Sequence, residues 1–317
     1  MTSQTSHATP HRILVIGGAG FIGGHVVKSL IDAGLNLAVY DLHAQPSSID
    51  IEWHSGSITD LSLMASVVAD RDAVVFLANA SLPGSSIASL SMEIQSHVRD
   101  TLRVAEVCAE LGVKHFVFAS SGGTVYGHCP APGTGLVETA LTQPQNAYGV
   151  SKLAIEHYLR LLSGKADMRT TSLRISNPYG EGQRAVRGQG FIAAAIQRAM
   201  DGSELEIWGD GLVERDFIHV SDVAAAILAT LRSDNPPDVV NIGTGQATSL
   251  KSIVEMVEAA CGTSIDTRYY PGRRIDIERN VLDIARAQNT LEWSPQVALA
   301  DGLTQTVAWW QEHHKPV

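Results

Sequence analysis

The feature that most limits the possible folds of this chain is RILVIGGAGFIGG at 12–24, an apolar run of strand character that turns through glycines directly into a helix-like segment. Gly17, Gly20 and Gly23 stand there at GxxGxxG spacing. Such glycines permit a tight turn, let backbone approach a bound group, and allow helix and sheet to pack closely. Short apolar runs then alternate with longer amphipathic ones. Strands are predicted at 12–17, 35–41, 72–78, 114–120 and 170–176, and helices at 21–33, 91–111 and 147–163. Strands apolar on both faces and separated by helices require a parallel sheet covered on both sides. The expected fold class is α/β, a doubly wound parallel (Rossmann) sheet. After residue 176 the chain is punctuated by Gly, Pro and Arg, and DVVNIG at 238–243 reads as a strand returning to the sheet. The expected division is a nucleotide-binding domain over 1–176 with a returning segment at about 216–243, and a smaller, interleaved substrate domain made mainly of 177–317.

A glycine turn that opens a helix is an anion site, because the helix N-terminus carries partial positive charge and exposed N–H groups. Asp41 closes the next apolar run, where a carboxylate can accept hydrogen bonds from both hydroxyls of a ribose. A 2′-phosphate there would meet like charge with no adjacent Arg or Lys, so the expected cofactor is NAD, not NADP. Without the glycines, Asp41 would read as a turn residue after a strand.

Composition narrows the partners. The 317 residues are 44% hydrophobic and 18% charged, which suits a folded chain long enough for a large core. A net charge of −10 without any Lys/Arg run argues against nucleic acid and anionic membranes as partners. The N-terminal MTSQTSHATPHR is polar, and no run has the length needed to cross a bilayer. Cys108, Cys129 and Cys261 are odd in number and widely spaced, pointing to neither a disulfide framework nor a zinc site. The twelve histidines show no ligand spacing, so no metal is expected, and a cytoplasmic location is the default.

The second chemical signal is YGVSK, which sets Tyr148 and Lys152 four residues apart on one face of a predicted helix. A free tyrosine ionises near pH ~10, and its use as a base at neutral pH requires roughly 4 kcal/mol of preferential phenolate stabilisation. A neighbouring ammonium and a cationic nicotinamide ring are suited to supply it. Alone, Tyr-x-x-x-Lys is a common surface pair; beside a dinucleotide turn it gains meaning.

With both motifs present, the chain resembles the extended short-chain dehydrogenase/reductase family, in particular its nucleotide-sugar epimerase/dehydratase branch. The resemblance runs from Ile13 to about Trp310 and includes FLANA at 76–80, SSGGTVYG at 120–127, NPYGEGQ at 177–183, LEIWGDGLVERDFIHVSDVAAAI at 205–227 and PGRRIDI at 271–277. It implies Tyr148 as catalytic base, Lys152 as the holder of the nicotinamide ribose, and Thr124 as hydrogen-bond partner of the sugar hydroxyl being oxidised. It places NAD against Gly17, Gly20, Phe21, Ile22, Gly23, Asp41, Ser57, Ile58, Leu77, Ala78, Ser120, Tyr148, Lys152 and Pro178. It places a UDP-sugar against Thr124, Asn177, Gln189, Trp208, Arg215, Arg273, Asp276 and Asn280. Arg215 and Arg273 suit the diphosphate because guanidinium groups bind phosphate bidentately; on spacing alone they would read as surface ion pairs with Asp216 and Asp276. Relatives form a dimer through the helices expected at 91–111 and 147–163, which implies a homodimer.

Two departures and one absence refine this expectation. Ser57 stands where relatives often carry an acid, and His97 where an Asn is common; a lone histidine of this kind reads as a packing residue. Dehydratases of the branch carry Thr-Asp-Glu before Val-Tyr-Gly, whereas this chain has Gly122, Gly123 and Thr124. Without carboxyl groups no donor is evident for an expelled hydroxyl, and elimination is disfavoured. The resemblance then implies 4-epimerisation of a UDP-hexose: Tyr148 takes the 4-hydroxyl proton as C4 is oxidised, and the 4-keto sugar turns and is reduced on its other face. A UDP-sugar 4-reductase or dehydrogenase that releases its cofactor, and a non-catalytic NAD-binding protein, remain open. Asn280 stands where relatives carry either a bulky aromatic or a smaller residue, so N-acetylated sugars are expected to fit beside it.

Overall fold

The computed structural model describes residues 12–46, 50–79, 90–127, 133–185, 190–273 and 277–313. The strands in chain order are β1 (Arg12–Ile16), β2 (Asn36–Asp41), β3 (Glu52–Ser55), β4 (Ala73–Phe76), β5 (His115–Ser121), β6 (Arg169–Ile175), β7 (Asn177–Tyr179), β8 (Leu205–Trp208), β9 (Glu214–Arg215), β10 (Phe217–His219), β11 (Val239–Ile242), β12 (Thr248–Ser249), β13 (Thr267–Tyr270) and β14 (Arg279–Asn280). The α-helices are α1 (Phe21–Asp32), α2 (Leu61–Val68), α3 (Leu90–Glu93), α4 (Asp100–Glu110), α5 (Gly122–Val125), α6 (Ala147–Ser163), α7 (Phe191–Asp201), α8 (Val220–Arg232), α9 (Leu250–Cys261), α10 (Ala285–Leu291) and α11 (Leu299–His313). Between α3 and α4 the chain widens into a π-helical segment, Ile94–Arg99.

Seven parallel strands form the central sheet in the order β11-β6-β5-β4-β1-β2-β3. The order reverses between β1 and β4, and in such sheets ligands bind outside the carboxyl ends of the strands at that reversal. Alternation along β1 shows why both faces are covered. Ile13 and Val15 join a core with Val26, Leu30, Val223 and Ile227, beneath α1 and α8. Leu14 and Ile16 join Tyr40, Met64, Phe118, Ile155 and Leu159, beneath α2, α4 and α6. A third core of Ile192, Ile196, Ile207, Ile253, Val257 and Trp310 lies among α7, β8, α9 and α11.

β11, after a long excursion from β6, pairs with it as an outer strand of the sheet. β3 is the one sheet strand that the sequence reading did not anticipate. It is an edge strand of sequence EWHS, partly exposed along its length, and so lacks a continuous apolar run. No helix among the described residues is long and apolar enough to cross a membrane.

Candidate active site

The glycine turn is shaped by close approach. Gly17 has φ +92° and accommodates no Cβ, which would lie 2.7 Å from the amide nitrogen of Ala78 at the end of β4. At Gly23 a Cβ would fall 2.0 Å from the carbonyl oxygen of Gly17, so helix α1 can start this near to β1 only through glycine. Gly20 precedes α1 in extended conformation and no side chain caps the helix, which leaves the N–H groups of its first turn, Phe21 and Ile22 among them, aimed outward.

Asp41 ends β2, nearly buried. Its Oδ2 accepts from the Ala19 amide at 2.9 Å, and its Oδ1 accepts from the His43 amide at 2.9 Å and lies 3.0 Å from His43 Nδ1. The carboxylate is thus turned to the glycine loop, as a ribose acceptor must be. Leu77 and Ala78 extend β4 beside the loop, the Leu77 amide donating to Ile16. Ser57 Oγ pairs with Thr59 Oγ1 at 2.8 Å, and Ile58 packs on the core under β2. A cradle that any Cβ would fill, an uncapped helix start and an inward carboxylate together fit a dinucleotide.

Helix α6 starts where Asn146 caps it by accepting from the Gly149 amide at 2.8 Å. Its first turn carries Tyr148, and Gly149 lets the α5 turn lie against it: a Cβ on Gly149 would stand 2.6 Å from the Thr124 carbonyl oxygen. The glycine inside YGVSK thus lets the turn that carries Thr124 pack against the turn of α6 that carries Tyr148. Asn79 Nδ2 donates to the Tyr148 hydroxyl at 3.4 Å. Lys152 is buried, donates from Nζ to the Ala119 carbonyl at 2.7 Å, and holds that nitrogen 4.6 Å from the Phe118 ring centre and 5.4 Å from that of Tyr148.

Burial pushes the Tyr148 phenol up to about 12 and lowers the Lys152 ammonium to about 7, against the opposing pull of Glu156 and Glu93. Both changes have one cause, exclusion of water from a pocket that disfavours any charge.

Ser120 sits in the same strand, but its hydroxyl donates to Glu156, whose carboxylate also receives Arg174 Nη2 at 2.7 Å. Its side chain serves this buried ion pair. Pro178 lies in β7, its carbonyl accepting from Gln183.

On the other side, Asn177 Nδ2 donates to the Asp216 carbonyl at 2.9 Å, and its side chain faces Gly123, where a Cβ would stand 3.6 Å from Asn177 Oδ1. Asn280 is fully buried, donates from Nδ2 to the Gly122 carbonyl at 3.1 Å, and has no partner for Oδ1. The Thr124 hydroxyl also has none. Arg215 pairs in register with Asn280 across β9 and β14 and donates to the Glu214 carbonyl. The surface pair of Arg215 with Asp216 does not form. Asp216 is fully buried and accepts from Thr244, Gly245 and Leu282, tying three segments together.

Trp208 stacks on Tyr270 with ring centres 4.9 Å apart, and the Arg273 guanidinium lies 5.2 Å from the Trp208 ring. They line an open cleft of about 500 Å³ together with Val213 and Glu278. Two residues along the paired strands lead from Val213 to Arg215 and from Glu278 to Asn280, roughly 7 Å at strand spacing. The cleft thus leads toward Gly122. Gln189 and Asp276 lie outside the described residues. Sequence reasoning missed Glu93, Glu156 and Tyr270; the first two sit on helices where acids usually face water, and the third is one of two adjacent tyrosines with nothing to separate them.

Comparison with known proteins decides the family. The profile of the NAD dependent epimerase/dehydratase family matches residues 13–243. The chain belongs to that family. Members use NAD, and the matched residues include the glycine turn, Asp41 and the helix with Tyr148 and Lys152. Among characterised relatives, the dTDP-4-dehydro-6-deoxyglucose reductase of Escherichia coli is 30% identical over 95% of this chain and 98% of that one. Among solved structures, UDP-glucose 4-epimerase of Thermotoga maritima, determined with UDP-glucose, superposes with a TM-score of 0.88 at 31% identity, covering 95% of this chain and 99% of that one. UDP-glucose 4-epimerase of Thermus thermophilus, in complex with NAD, gives 0.87 at 29% over 95% and 99%. Epimerases, reductases and dehydratases all occur among the matches.

Proposed function

We propose that this enzyme is a UDP-hexose 4-epimerase that retains NAD. The observation that carries the reading is the α5 turn, where Gly122 and Gly123 supply no carboxyl group and Thr124, whose carbonyl lies against Gly149 next to Tyr148 in the chain, has a buried hydroxyl with no partner. Elimination needs an acid there; removal and return of one proton at one carbon does not.

The chain's own residues divide the work as follows. Residues 1–176 with the segment at about 216–243 would hold NAD, the start of α1 serving its pyrophosphate and Asp41 its ribose hydroxyls. When bound, NAD supplies the two-electron acceptor for C4 and returns the same electrons. Tyr148 takes the proton of the 4-hydroxyl, and Thr124 orients that oxygen by hydrogen bonding. Lys152, its Nζ 5.4 Å from the Tyr148 ring centre, lowers the cost of the phenolate when protonated. Arg215 and Arg273 anchor the diphosphate, Trp208 and Tyr270 offer a stacked aromatic wall to the base, and Asn177 and Asn280 border the sugar, within the mainly substrate-binding residues 177–317. Anchoring at the nucleotide leaves the 4-keto sugar free to turn. Asn280, smaller than an aromatic, leaves room for an N-acetyl group, so UDP-N-acetylhexosamines belong to the substrate range. Exposed Leu90, Met92 and Ile94, together with Val150, Tyr158 and Leu161 on α6, form the apolar face through which two copies pair, in a cytoplasmic enzyme.

The similarity to a 4-keto sugar reductase supports a second reading, in which the same residues reduce a ketone with added NADH. Two assays separate the readings. Purified protein is given UDP-galactose without added cofactor, or a nucleotide-linked 4-keto sugar with and without NADH, and the products are resolved. UDP-glucose formed with no net NADH supports the epimerase; turnover of a 4-keto sugar that requires added NADH supports the reductase; neither reaction supports a non-catalytic binder.

A further inference from the structure

We propose that His97, held by Glu93, is a positioning residue that governs the ionisation of the Tyr148–Lys152 pair; the inference rests on the reading of Tyr148 as the base. Glu93 and His97 are 4% and 1% exposed, and His97 Nδ1 lies 3.1 Å from Glu93 Oε1. His97 stands in the π-helical segment Ile94–Arg99, and its ring centre lies 5.7 Å from that of Tyr148 at 50°. π turns inside helices are frequent at functional sites. A carboxylate only accepts hydrogen bonds, so the imidazole proton belongs on Nδ1 and Nε2 remains an acceptor.

The charged groups around the pair set the sign of its effect. Glu93 comes from α3, the Arg99–Asp100 ion pair from the start of α4, and Tyr148, Lys152 and Glu156 from α6. Burial, with the Lys152 charge, lowers His97 to about 4 and keeps the ring neutral. The Glu93 charge raises the Tyr148 phenol and supports the Lys152 ammonium. A neutral imidazole donating to Glu93 disperses that charge. Loss of the donor should therefore make the phenolate harder to form, and loss of the carboxylate should make it easier. A packing role gives no such opposition of sign.

The test uses the full-length NAD-loaded protein with ¹³Cζ-labelled tyrosine, the Tyr148 resonance being assigned by its loss in Tyr148→Phe. Glu93→Gln should move the Tyr148 midpoint down and His97→Asn should move it up, each by about one pH unit. His97→Gln, long enough to keep an amide donor on Glu93, should return it toward the wild-type value. Should His97→Asn fail to fold, Glu93→Gln and His97→Gln still decide. Midpoints that stay in place, or move in the same direction in both variants while only Tm falls, overturn the proposal. This readout does not depend on turnover: absence of epimerisation in the wild-type protein would defeat the proposed function and leave the His97–Glu93 effect measurable.

Discussion

The proposed cofactor side and the proposed sugar side of this molecule are assembled in contrasting ways. The turn from β1 to α1 and the carboxylate of Asp41 lie within residues 12–41, and apart from the approach of Ala78 to Gly17 and the His43 amide on Asp41 the contacts that shape them are made inside that segment. The proposed sugar side takes Thr124 from one turn, Asn177 from β7, Trp208 from the end of β8, Arg273 from the chain after β13, and Arg215 and Asn280 from the two-residue strands β9 and β14. The first is rigid by local packing. The second depends on long-range contacts, such as the amides that Asp216 collects from Thr244, Gly245 and Leu282. A fixed cofactor beside a sugar pocket built from separable pieces is an arrangement in which substrate range can change without disturbing the redox site.

The contrast can be broken at the point where the two sides meet. Tyr148→Phe should lower kcat for UDP-galactose conversion by roughly 10² to 10⁴, the usual range for a general acid-base, with NAD content unchanged; near wild-type turnover would remove Tyr148 as the base. Gly23→Ala sharpens the cofactor side. With its Cβ 2.0 Å from the Gly17 carbonyl oxygen, it should cost about 1–3 kcal/mol in stability and lose bound NAD, read by thermal unfolding and by cofactor released on denaturation. On the sugar side, Arg273→Ala should raise the KM for UDP-sugar roughly 10- to 100-fold, the worth of a charged hydrogen bond, while NAD content stays constant. A loss of NAD instead would show that the two sides are coupled. Asn280→Tyr should lower kcat/KM for the N-acetylated pair selectively, by about 1–3 kcal/mol of discrimination, and equal loss on both sugar pairs would end its role as a border of the C2 substituent.

The smallest effect tests the shared core. His115, at the start of β5, is buried with Nε2 3.0 Å from Thr171 Oγ1, and burial lowers it from 6.5 to about 3. Between those values the unfolded chain binds the proton and the folded one does not, so this contribution is complete above pH ~6.5 and is lost as pH falls toward 3. At pH 5 the loss is about 2 kcal/mol. His115→Gln should flatten the fall of Tm between pH 7 and pH 5; an unchanged slope would place the acid sensitivity elsewhere.

Most of the sheet was legible in the chain because runs such as ILVI and AVVF are apolar on both faces, a pattern that only a doubly covered strand satisfies. β3 was not, since an edge strand needs no such run. For the same reason, the helix of the proposed base could be read from Tyr148 and Lys152 but not its surroundings. Glu93 and Glu156 carry residue types that usually face water, and only the packing of the π-helical segment and β6 on α6 buries them.

By itself the sequence determined the doubly wound sheet, the dinucleotide turn and the pairing of Tyr148 with Lys152, because periodicity, glycine sterics and i, i+4 spacing act over a few residues. The tertiary structure alone decided that Gly149 admits the Thr124 turn, that Asp216 is a buried tie and not a surface partner of Arg215, and that His97 lies against Tyr148. Each of these depends on exclusion of water by segments distant in the chain, and desolvation, which raises the Tyr148 phenol to about 12, is a property of the assembled pocket that no local run of residues encodes.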